Sequence, residues 1–309
     1  MTDAPEKSQL LDGLQQSLDM LQAYRPADPA PPEIAEPLPS LLRQLETLLA
    51  KGPSHCIRTI HHFAATGGSL ISKCVSAQPN IVMLSEADPL SLLSMGKGKP
   101  VFSPRSVIDQ LRYSLRGNAD DLILPVFHAE ITALRDLLHR RGQTLVIRDH
   151  AHSQYCVGEA VVVRPTLRDI LLETGPLRSV VTVRHPVDSF LSVIQMNWNH
   201  FSPLALDEYA RRYAQFLDDY DGVPIYRYED FLAGAEQVTA DICKTLDLRF
   251  EPGATDLHDA FKISGSSGRS GGKIEARPRR PVPPQMREQA QSDDYLRLCQ
   301  RLNYDPSLD

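Results

Sequence analysis

The stretch FAATGGSLISK, residues 63–73, joins an apolar, strand-like run to a helical pattern through two adjacent glycines. Gly67 and Gly68 permit positive φ and a close approach of the backbone to an anion, while Thr66 and Ser69 carry hydroxyl donors. In a doubly wound sheet the first strand–loop–helix turn commonly holds a phosphate on backbone N–H groups at the helix N-terminus. The stretch therefore predicts a phosphate-binding turn, with an ordinary tight turn as the alternative.

The turn lacks the ending that nucleoside triphosphatases need. Their loops finish in Gly-Lys-Ser/Thr, because the lysine binds the β- and γ-phosphates and the hydroxyl binds Mg²⁺. Here Ser69 and Leu70 follow Gly68, and the GKGK run at 96–99 has no hydroxyl residue after it and no clear strand before it. The sequence gives little support to hydrolysis of ATP or GTP.

From residue 56 onward, apolar runs of strand length alternate with helical patterns. Strands are predicted in CIRTIHHF (56–63), NIVML (80–84), TLVIRD (144–149), VVVR (161–164), SVVTVRH (179–185) and VPIYRY (223–228). Helices are predicted from Ser69, over 121–141, from Asp188, near 206–220 and near 285–302. This alternation predicts an α/β fold with a central parallel sheet flanked by helices on both faces.

The first 53 residues have a different pattern. Leucines recur at helical spacing over 8–24, the proline-rich run RPADPAPPEIAEPLPS (25–40) cannot continue a helix, and a second helix is expected near Leu41–Leu49. We therefore predict an N-terminal helical extension with a proline-rich connector over 1–53, followed by one α/β domain over 54–309.

Composition narrows the class of protein. The chain has 309 residues, of which 42% are hydrophobic, and a net charge of −6, so it lacks the overall basic charge typical of nucleic-acid binders. Five scattered cysteines without a Cys-x-x-Cys pair argue against a zinc site and indicate a reduced, cytoplasmic setting. No signal peptide or membrane span is recognisable, so no membrane partner is expected. The oligomeric state stays open, a homodimer included.

A second anion-binding pattern lies in SVVTVRHPVDSFLS, residues 179–192. Arg184 ends a predicted strand, Pro186 breaks it, and Asp188 is expected to cap the next helix. Ser192 follows within that helix. We expect Arg184 and Ser192 to converge on one phosphate, the arginine through its forked guanidinium and the serine through its hydroxyl.

Together, TGGS (66–69) and RHPVDSFLS (184–192) resemble the two nucleotide-binding motifs of the sulfotransferases that use 3′-phosphoadenosine 5′-phosphosulfate (PAPS). The resemblance implies that PAPS is the cofactor and 3′-phosphoadenosine 5′-phosphate (PAP) the product. It implies that the turn holds the 5′-phosphosulfate and that Arg184 and Ser192 hold the 3′-phosphate. The turn residues concerned are Ala65, Thr66, Gly67, Gly68, Ser69 and Leu70.

Two further stretches follow in the order found in that family. YRYED (226–230) resembles the segment whose tyrosine approaches the adenine, which implies this role for Tyr228. SGRSGG (267–272) resembles the C-terminal flap over the 3′-phosphate, which implies a role for Arg269, Ser270 and Gly271. By composition alone, the tail 263–284 is equally typical of a disordered linker.

One departure from the family concerns charge, and one ambiguity concerns the base. The family usually has Lys or Arg where Ala65 stands, and Arg148 is a candidate to supply that charge. Glu86 follows a predicted strand as does the base of tyrosylprotein sulfotransferases, whereas His150 resembles in position the base of cytosolic small-molecule sulfotransferases. Both remain candidates, each with a structural alternative such as capping a turn or joining a strand-end hydrogen-bond cluster.

The resemblance implies a sulfotransferase that transfers a sulfuryl group to a hydroxyl or amine of a small-molecule or glycan acceptor. The acceptor pocket is expected beside residues 84–106 and Met196–His200. A P-loop nucleotide kinase or phosphotransferase is one alternative, favoured by the fold and disfavoured by the missing lysine. A noncatalytic PAP-binding scaffold protein is another, favoured by Ala65.

Overall fold

The computed structural model describes residues 12–13, 15–16, 18–19, 56–93, 103–114, 120–264 and 273–308. The described residues between 12 and 19 are helical, within the predicted helix over 8–24. The proline-rich connector, the helix near 41–49, the domain boundary after residue 53 and the flap residues Arg269, Ser270 and Gly271 lie outside the described residues. Everything below concerns the unit His55–Asp309.

Five parallel strands form the central sheet. They are Ile57–His62 (β1), Ile81–Ala87 (β2), Thr144–Asp149 (β3), Leu177–Val183 (β4) and Ile225–Arg227 (β5), in the order β2-β3-β1-β4-β5. Every pair of neighbouring strands runs parallel. The predicted α/β class with a central parallel sheet is confirmed, and β1, which enters the glycine turn, is the middle strand.

Helices pack on both faces of the sheet. In chain order the α-helices are Gly68–Ser76 (α1), Val107–Ser114 (α2), Asp120–Arg140 (α3), His152–Tyr155 (α4), Leu167–Leu172 (α5), Pro186–Gln195 (α6), Leu206–Asp219 (α7), Tyr228–Ala233 (α8), Ala235–Leu246 (α9), Pro284–Gln289 (α10) and Asp293–Arg301 (α11). A 3₁₀ helix spans Ala254–Ala260. Within the described ranges, no helix is both long and apolar enough to cross a membrane.

The predicted strand VVVR (161–164) is wrong. These residues form a loop in which Val163 is 96% exposed. Three consecutive β-branched residues resemble a strand, but hydrogen bonds outside any ladder hold the segment. Val162 N donates to Gln154 O, and Gln154 Nε2 donates to Arg164 O over 3.0 Å.

Two helix boundaries also differ from the prediction. His185 precedes the first residue of α6 and Pro186 is its first residue, so Asp188 lies within the first turn instead of capping it. The expected final helix near 285–302 is two helices, because α10 ends before Ala290 and the side chain of Ser292 caps α11.

The two faces of the sheet have separate cores. Ile60 and Val146 pack with α1 and α9 on one face, whereas Ile57 and Ile147 pack with α3 and α5 on the other. Because strand side chains alternate between faces, Arg148, which pairs with Ile60, lies on the α1 face. The strand periodicity thus directs this arginine toward the helix that follows the glycine turn.

Candidate active site

A cavity of about 1150 Å³ lies at the carboxyl ends of the strands. The predicted site residues that border it are Ala65, Thr66, Gly67, Gly68, Ser69, Glu86, His150, Arg184, Ser192 and Tyr228. Leu70 and Arg148 are buried next to it. Residues of the expected acceptor segments, among them Leu93, Met196 and Trp198, also border the cavity. The structure therefore gathers in one place every predicted site residue that it describes.

The turn needs both of its glycines for steric reasons. Gly67 has φ +86°, and a Cβ there would lie 2.2 Å from Cδ2 of Tyr228. A Cβ on Gly68 would lie 2.3 Å from Cδ2 of His62. Both distances are far below any real contact of a Cβ atom, so the rings of Tyr228 and His62 pack directly against the backbone of the turn. The absent side chains therefore let these two rings pack against the turn, which a Cβ at either position would prevent.

The hydroxyl of Thr66 has a structural partner. Thr66 is fully buried and its Oγ1 donates to the carbonyl oxygen of Phe63 over 2.9 Å. Gly67 precedes α1 without any side-chain cap among the described residues. The hydroxyl of Thr66 therefore shapes the turn, and the N-terminus of α1 with the Ser69 side chain remains to meet an anion.

Arg148 lies fully buried beneath the turn and contacts three segments. Its Nη1 donates to Ser69 Oγ over 2.8 Å, and its Nη2 lies 2.6 Å from Glu86 Oε1 and donates to Ser264 O over 2.9 Å. Burial lowers the pKa of Arg148, and the charge of Glu86 opposes that shift. Arg148 thus brings a guanidinium to Ser69, next to the position where Ala65 provides no cation.

Glu86 lies in a strained backbone conformation at the end of β2. Its φ is +61°, a region that residues with a Cβ seldom adopt, and the pairing of β2 with β3 shifts register between Leu84 and Ala87. The bulge directs the carboxylate toward Arg148 and the cavity. Strain of this kind often accompanies functional positions, where the surrounding structure enforces it.

A second cationic cluster forms around Ser192 on α6. Arg184 Nη1 and Arg280 Nη1 lie 3.1 and 2.8 Å from Ser192 Oγ, and the same hydroxyl donates to Asp188 O over 2.9 Å. Two guanidinium groups therefore donate to one neutral oxygen. Arg279 forms an ion pair with Asp188, which fixes the tail segment against α6. Two converging positive charges at a cavity wall form a site for an anion.

Arg280 is not among the site residues predicted from the sequence. The predicted C-terminal contact is Arg269, which lies outside the described residues, although the tail run RPRRP (277–281) concentrates arginines. This arginine-rich run is the feature of the sequence from which a role for Arg280 could have been predicted. The contact itself joins residues 88 positions apart, so spacing along the chain could not identify it.

Tyr228 links the turn to this cluster. Its ring is buried against Gly67, and the Arg184 guanidinium lies 5.2 Å from the ring centroid. The predicted contact with adenine stays a prediction. What the structure shows is that Tyr228 supports both the turn and the arginine.

His150 follows β3, and its ring is stacked against that of His152 with centroids 6.2 Å apart. His61 and His62, at the end of β1, have different surroundings. His61 is fully buried and bonded to Asp149 over 2.8 Å, whereas His62 packs on Gly68 and borders the cavity. Burial, followed by the charge of Arg148, lowers the pKa of His62 to about 3, so its imidazole is neutral at pH 7.

The sheet order separates the cavity into two halves. β1 and its turn lie in the middle, with Arg184 beyond β4 and Tyr228 beyond β5 on one side. Glu86 ends β2 and His150 follows β3 on the other side. The cation cluster around Ser192 and the candidate bases therefore lie on opposite sides of the glycine turn.

Comparisons with known proteins are informative at the level of fold. No family model and no curated protein matches the sequence. The structure is similar to that of the sulfotransferase domain from the curacin biosynthetic pathway, with a TM-score of 0.52, 14% identity, and coverage of 81% of this chain and 98% of that one. The chain therefore has a sulfotransferase-like fold.

Two further solved structures are similar to the chain at a lower level. A sulfotransferase from Alicyclobacillus acidocaldarius has a TM-score of 0.42, 15% identity, and coverage of 80% of this chain and 96% of that one. A sulfotransferase from Mycobacterium tuberculosis H37Rv has a TM-score of 0.37, 14% identity, and coverage of 71% of this chain and 76% of that one.

Proposed function

We propose that this protein is an enzyme that transfers a sulfuryl group from PAPS to a hydroxyl of a small-molecule or glycan acceptor. The observation that supports this most is that guanidinium groups lie at two separate places along one cavity. Arg148 is buried beside the cavity beneath Ser69 in the glycine turn, and Arg184 and Arg280 converge on Ser192 in its wall. PAPS carries one anionic group at each of two ribose positions, and two separate places of positive charge suit such a ligand better than one.

The residues present fit the cofactor. The N-terminus of α1 follows Gly67 without a side-chain cap among the described residues, and its backbone N–H groups favour the 5′-phosphosulfate. Arg184, Ser192 and Arg280 would hold the 3′-phosphate, whose charge relieves the repulsion between the two guanidinium groups. When bound, PAPS supplies a sulfuryl group attached to a phosphate leaving group.

Arg148 supplies the positive charge that a Lys or Arg in place of Ala65 would carry. A fixed positive charge and hydrogen-bond donors near a leaving oxygen stabilise the charge that develops there. Arg148 is preorganised for this task, because contacts with Ser69, Glu86 and Ser264 hold its guanidinium in place. This role answers the argument that Ala65 makes the protein a noncatalytic scaffold.

We assign the general base to His150. Its ring forms no side-chain hydrogen bond with any other described residue, so a nitrogen lone pair is available to an acceptor hydroxyl. Glu86, the other candidate, has one carboxylate oxygen held by Arg148. In this proposal Glu86 orients the guanidinium while His150 receives the proton.

Ligand-dependent melting tests the cofactor. PAP at about one hundred times its dissociation constant adds roughly 2.7 kcal/mol to the free energy of unfolding, or about 5–10 °C in melting temperature for a domain of this size. ADP should shift the melting temperature less, because it lacks the 3′-phosphate. A shift with ATP and Mg²⁺ but none with PAP would favour a kinase and exclude the proposal.

Turnover then separates an enzyme from a scaffold. Transfer of labelled sulfate from PAPS to a pool of hydroxyl compounds should occur with the wild-type protein. His150→Asn should lower the rate by about 10²-fold or more with PAP binding retained, and Glu86→Gln should retain more activity. If Glu86→Gln alone abolishes transfer, the base is Glu86.

A further inference from the structure

The half of the cavity over β2 and β3 has a wall that the proposed cofactor contacts leave unused. Four side chains form it, namely His150, His152, Trp198 and His200, and we refer to them as the histidine–tryptophan wall. His150 and His152 follow β3, whereas Trp198 and His200 follow α6. Two separate segments of the chain therefore meet beside the candidate base.

The wall is ordered around the ring of His152. That ring is nearly parallel to His150, at an interplanar angle of 9°. Trp198 and His200 each meet it edge-on, with centroids 5.5 Å away. Trp198 N donates to Val193 O over 3.0 Å, and Gly158 N donates to His200 O over 2.8 Å, so the backbone holds both of these residues in place. The aromatic surface is thus built into the fold.

Charge distinguishes this wall from the rest of the cavity. Burial, followed by the charges of His150 and His200, lowers the pKa of His152 to about 3, so its imidazole is neutral at pH 7. Its Nε2 is buried and has no hydrogen-bond partner in the described part of the chain. The described Lys or Arg residues that border the cavity come from the end of β4 and from the tail. They are Arg184, Arg277, Arg279 and Arg280.

A carboxylate that borders this half of the cavity is already engaged. Glu86 Oε1 lies 2.6 Å from Nη2 of the buried Arg148. An anionic acceptor would find no Lys or Arg among the four side chains of the wall and would approach the carboxylate of Glu86. An uncharged ring would instead pack on the aromatic surface that surrounds the neutral imidazole of His152.

We propose that the histidine–tryptophan wall is the acceptor subsite and that it binds an uncharged ring carrying a hydroxyl group, with His152 as a specificity-determining contact. This inference rests on the proposed sulfuryl transfer and narrows its acceptor. Given the described residues, it disfavours sulfated, phosphorylated and carboxylated glycans as acceptors. A phenol and a neutral sugar share the required chemistry, and the experiment distinguishes them.

Trp198 provides a direct readout, because it is the only tryptophan in the sequence. With PAP present to fill the anion sites, its emission is titrated with phenol and methyl glucoside as uncharged probes. 4-Hydroxybenzoate and glucose 6-phosphate serve as the anionic counterparts. At least one uncharged probe should give a saturable change at millimolar concentration, and its anionic counterpart should bind at least about tenfold more weakly. The uncharged probe that binds more tightly identifies the ring type.

A variant pair tests the contact to His152. His152→Leu should weaken the uncharged probe by up to about tenfold, the loss expected for one aromatic ring contact. Binding of PAP and the melting temperature of the PAP complex show whether the variant is folded. His139→Leu removes an exposed histidine on α3 and should leave probe affinity unchanged.

The outcomes separate the two proposals. If PAP binds and no uncharged probe changes the emission of Trp198, or if the anionic probes bind as tightly, the acceptor inference is overturned and the cofactor proposal stands. If PAP does not bind, the cofactor proposal fails. Saturable binding of uncharged rings in that case would still assign a ligand site to the wall.

Discussion

Arg148 donates from Nη1 to Ser69 Oγ over 2.8 Å and reaches the glycine turn from beneath the sheet's carboxyl edge. The turn itself carries Ala65 where related motifs have a cation. The buried guanidinium of Arg148, on the neighbouring strand β3, therefore supplies the positive charge that the turn lacks at Ala65. The same group holds Glu86 and Ser264, so one side chain connects the turn, the end of β2 and the start of the tail.

Replacing Arg148 tests this arrangement. Arg148→Met should lower the rate of sulfuryl transfer by about 10²–10³-fold, because the fixed positive charge beneath the turn is lost. It should also lower the melting temperature, since Glu86 then loses its partner. Arg148→Lys should recover part of the rate, because it restores the positive charge. It cannot restore all three contacts that the guanidinium makes with Ser69, Glu86 and Ser264. Arg140→Met, on the exposed end of α3, is the control, and equal rates in Arg148→Met and this control would contradict the assignment.

The two glycines of the turn should be intolerant of alanine. A Cβ at Gly67 or Gly68 would enter the ring of Tyr228 or His62, and overpacking of this kind costs about 1–3 kcal/mol. Gly222→Ala is the matched control, because Gly222 has φ +74° and no atom within 4 Å of its Cβ position. Urea unfolding should show a larger loss for Gly67→Ala than for Gly222→Ala. Equal losses would mean that backbone strain, and not the ring contact, sets the requirement.

Local patterns were sufficient to predict the sheet and the turn. The strand entering FAATGGSLISK, the helix leaving it, and the Arg184–Ser192 spacing are each encoded within about ten residues, and the structure has all of them. Such segments are predictable because strand alternation and helix-breaking residues act on neighbours in sequence. The strand predicted at 161–164 failed because its valines find no strand partner, which composition cannot reveal.

The contacts that complete the site are remote in sequence. Ser192 meets Arg280 across 88 positions, and Arg148 meets Ser69 across 79. The sequence suggested Arg148 as a source of charge, but only the register of β3 with β1 decides which face it occupies. For Arg280, the sequence shows only that it lies in an arginine-rich run. Long-range pairings of this kind depend on the whole topology and not on local spacing.

Arg280 should contribute to recognition of the 3′-phosphate. Arg280→Gln should weaken binding of PAP by about 10–100-fold, a typical loss for a charge-assisted hydrogen bond, and should change binding of AMP little. Calorimetric titration with both nucleotides measures the difference. Arg249→Gln removes an exposed arginine paired with Glu251 and is the control. A parallel loss of AMP and PAP affinity would show that Arg280 serves the fold and not the 3′-phosphate.

A buried hydrogen-bond network around Asp149, the last residue of β3, should stabilise the end of this strand that lies next to the site. Asp149 Oδ2 accepts from Tyr220 OH over 2.6 Å and lies 2.8 Å from His61 Nδ1. Asp149→Asn removes the carboxylate that contacts both Tyr220 and His61, and we expect a loss of about 3–5 kcal/mol in the free energy of unfolding. Tyr220→Phe removes one hydrogen bond and should cost about 1–2 kcal/mol. If Asp149→Asn costs no more than Tyr220→Phe, the network does not depend on the carboxylate.

Two neutral histidines should make the folded protein sensitive to acid. Burial lowers the pKa of both His62 and His152 to about 3, below the usual value of 6.5, so between these limits the unfolded chain binds more protons than the folded one. Stability should therefore fall as pH decreases from about 6.5 toward 3, with each group adding up to about 1.4 kcal/mol per pH unit to the slope.

Unfolding free energies of His62→Asn and His152→Asn, measured from pH 7 to pH 4, should each show a shallower decline than wild type. His139→Asn changes an exposed histidine and should keep the wild-type slope. Because each slope compares one variant with itself at different pH, a general loss of stability in a variant does not disturb the comparison. Slopes equal to wild type in both variants would show that folding does not lower the pKa of these imidazoles.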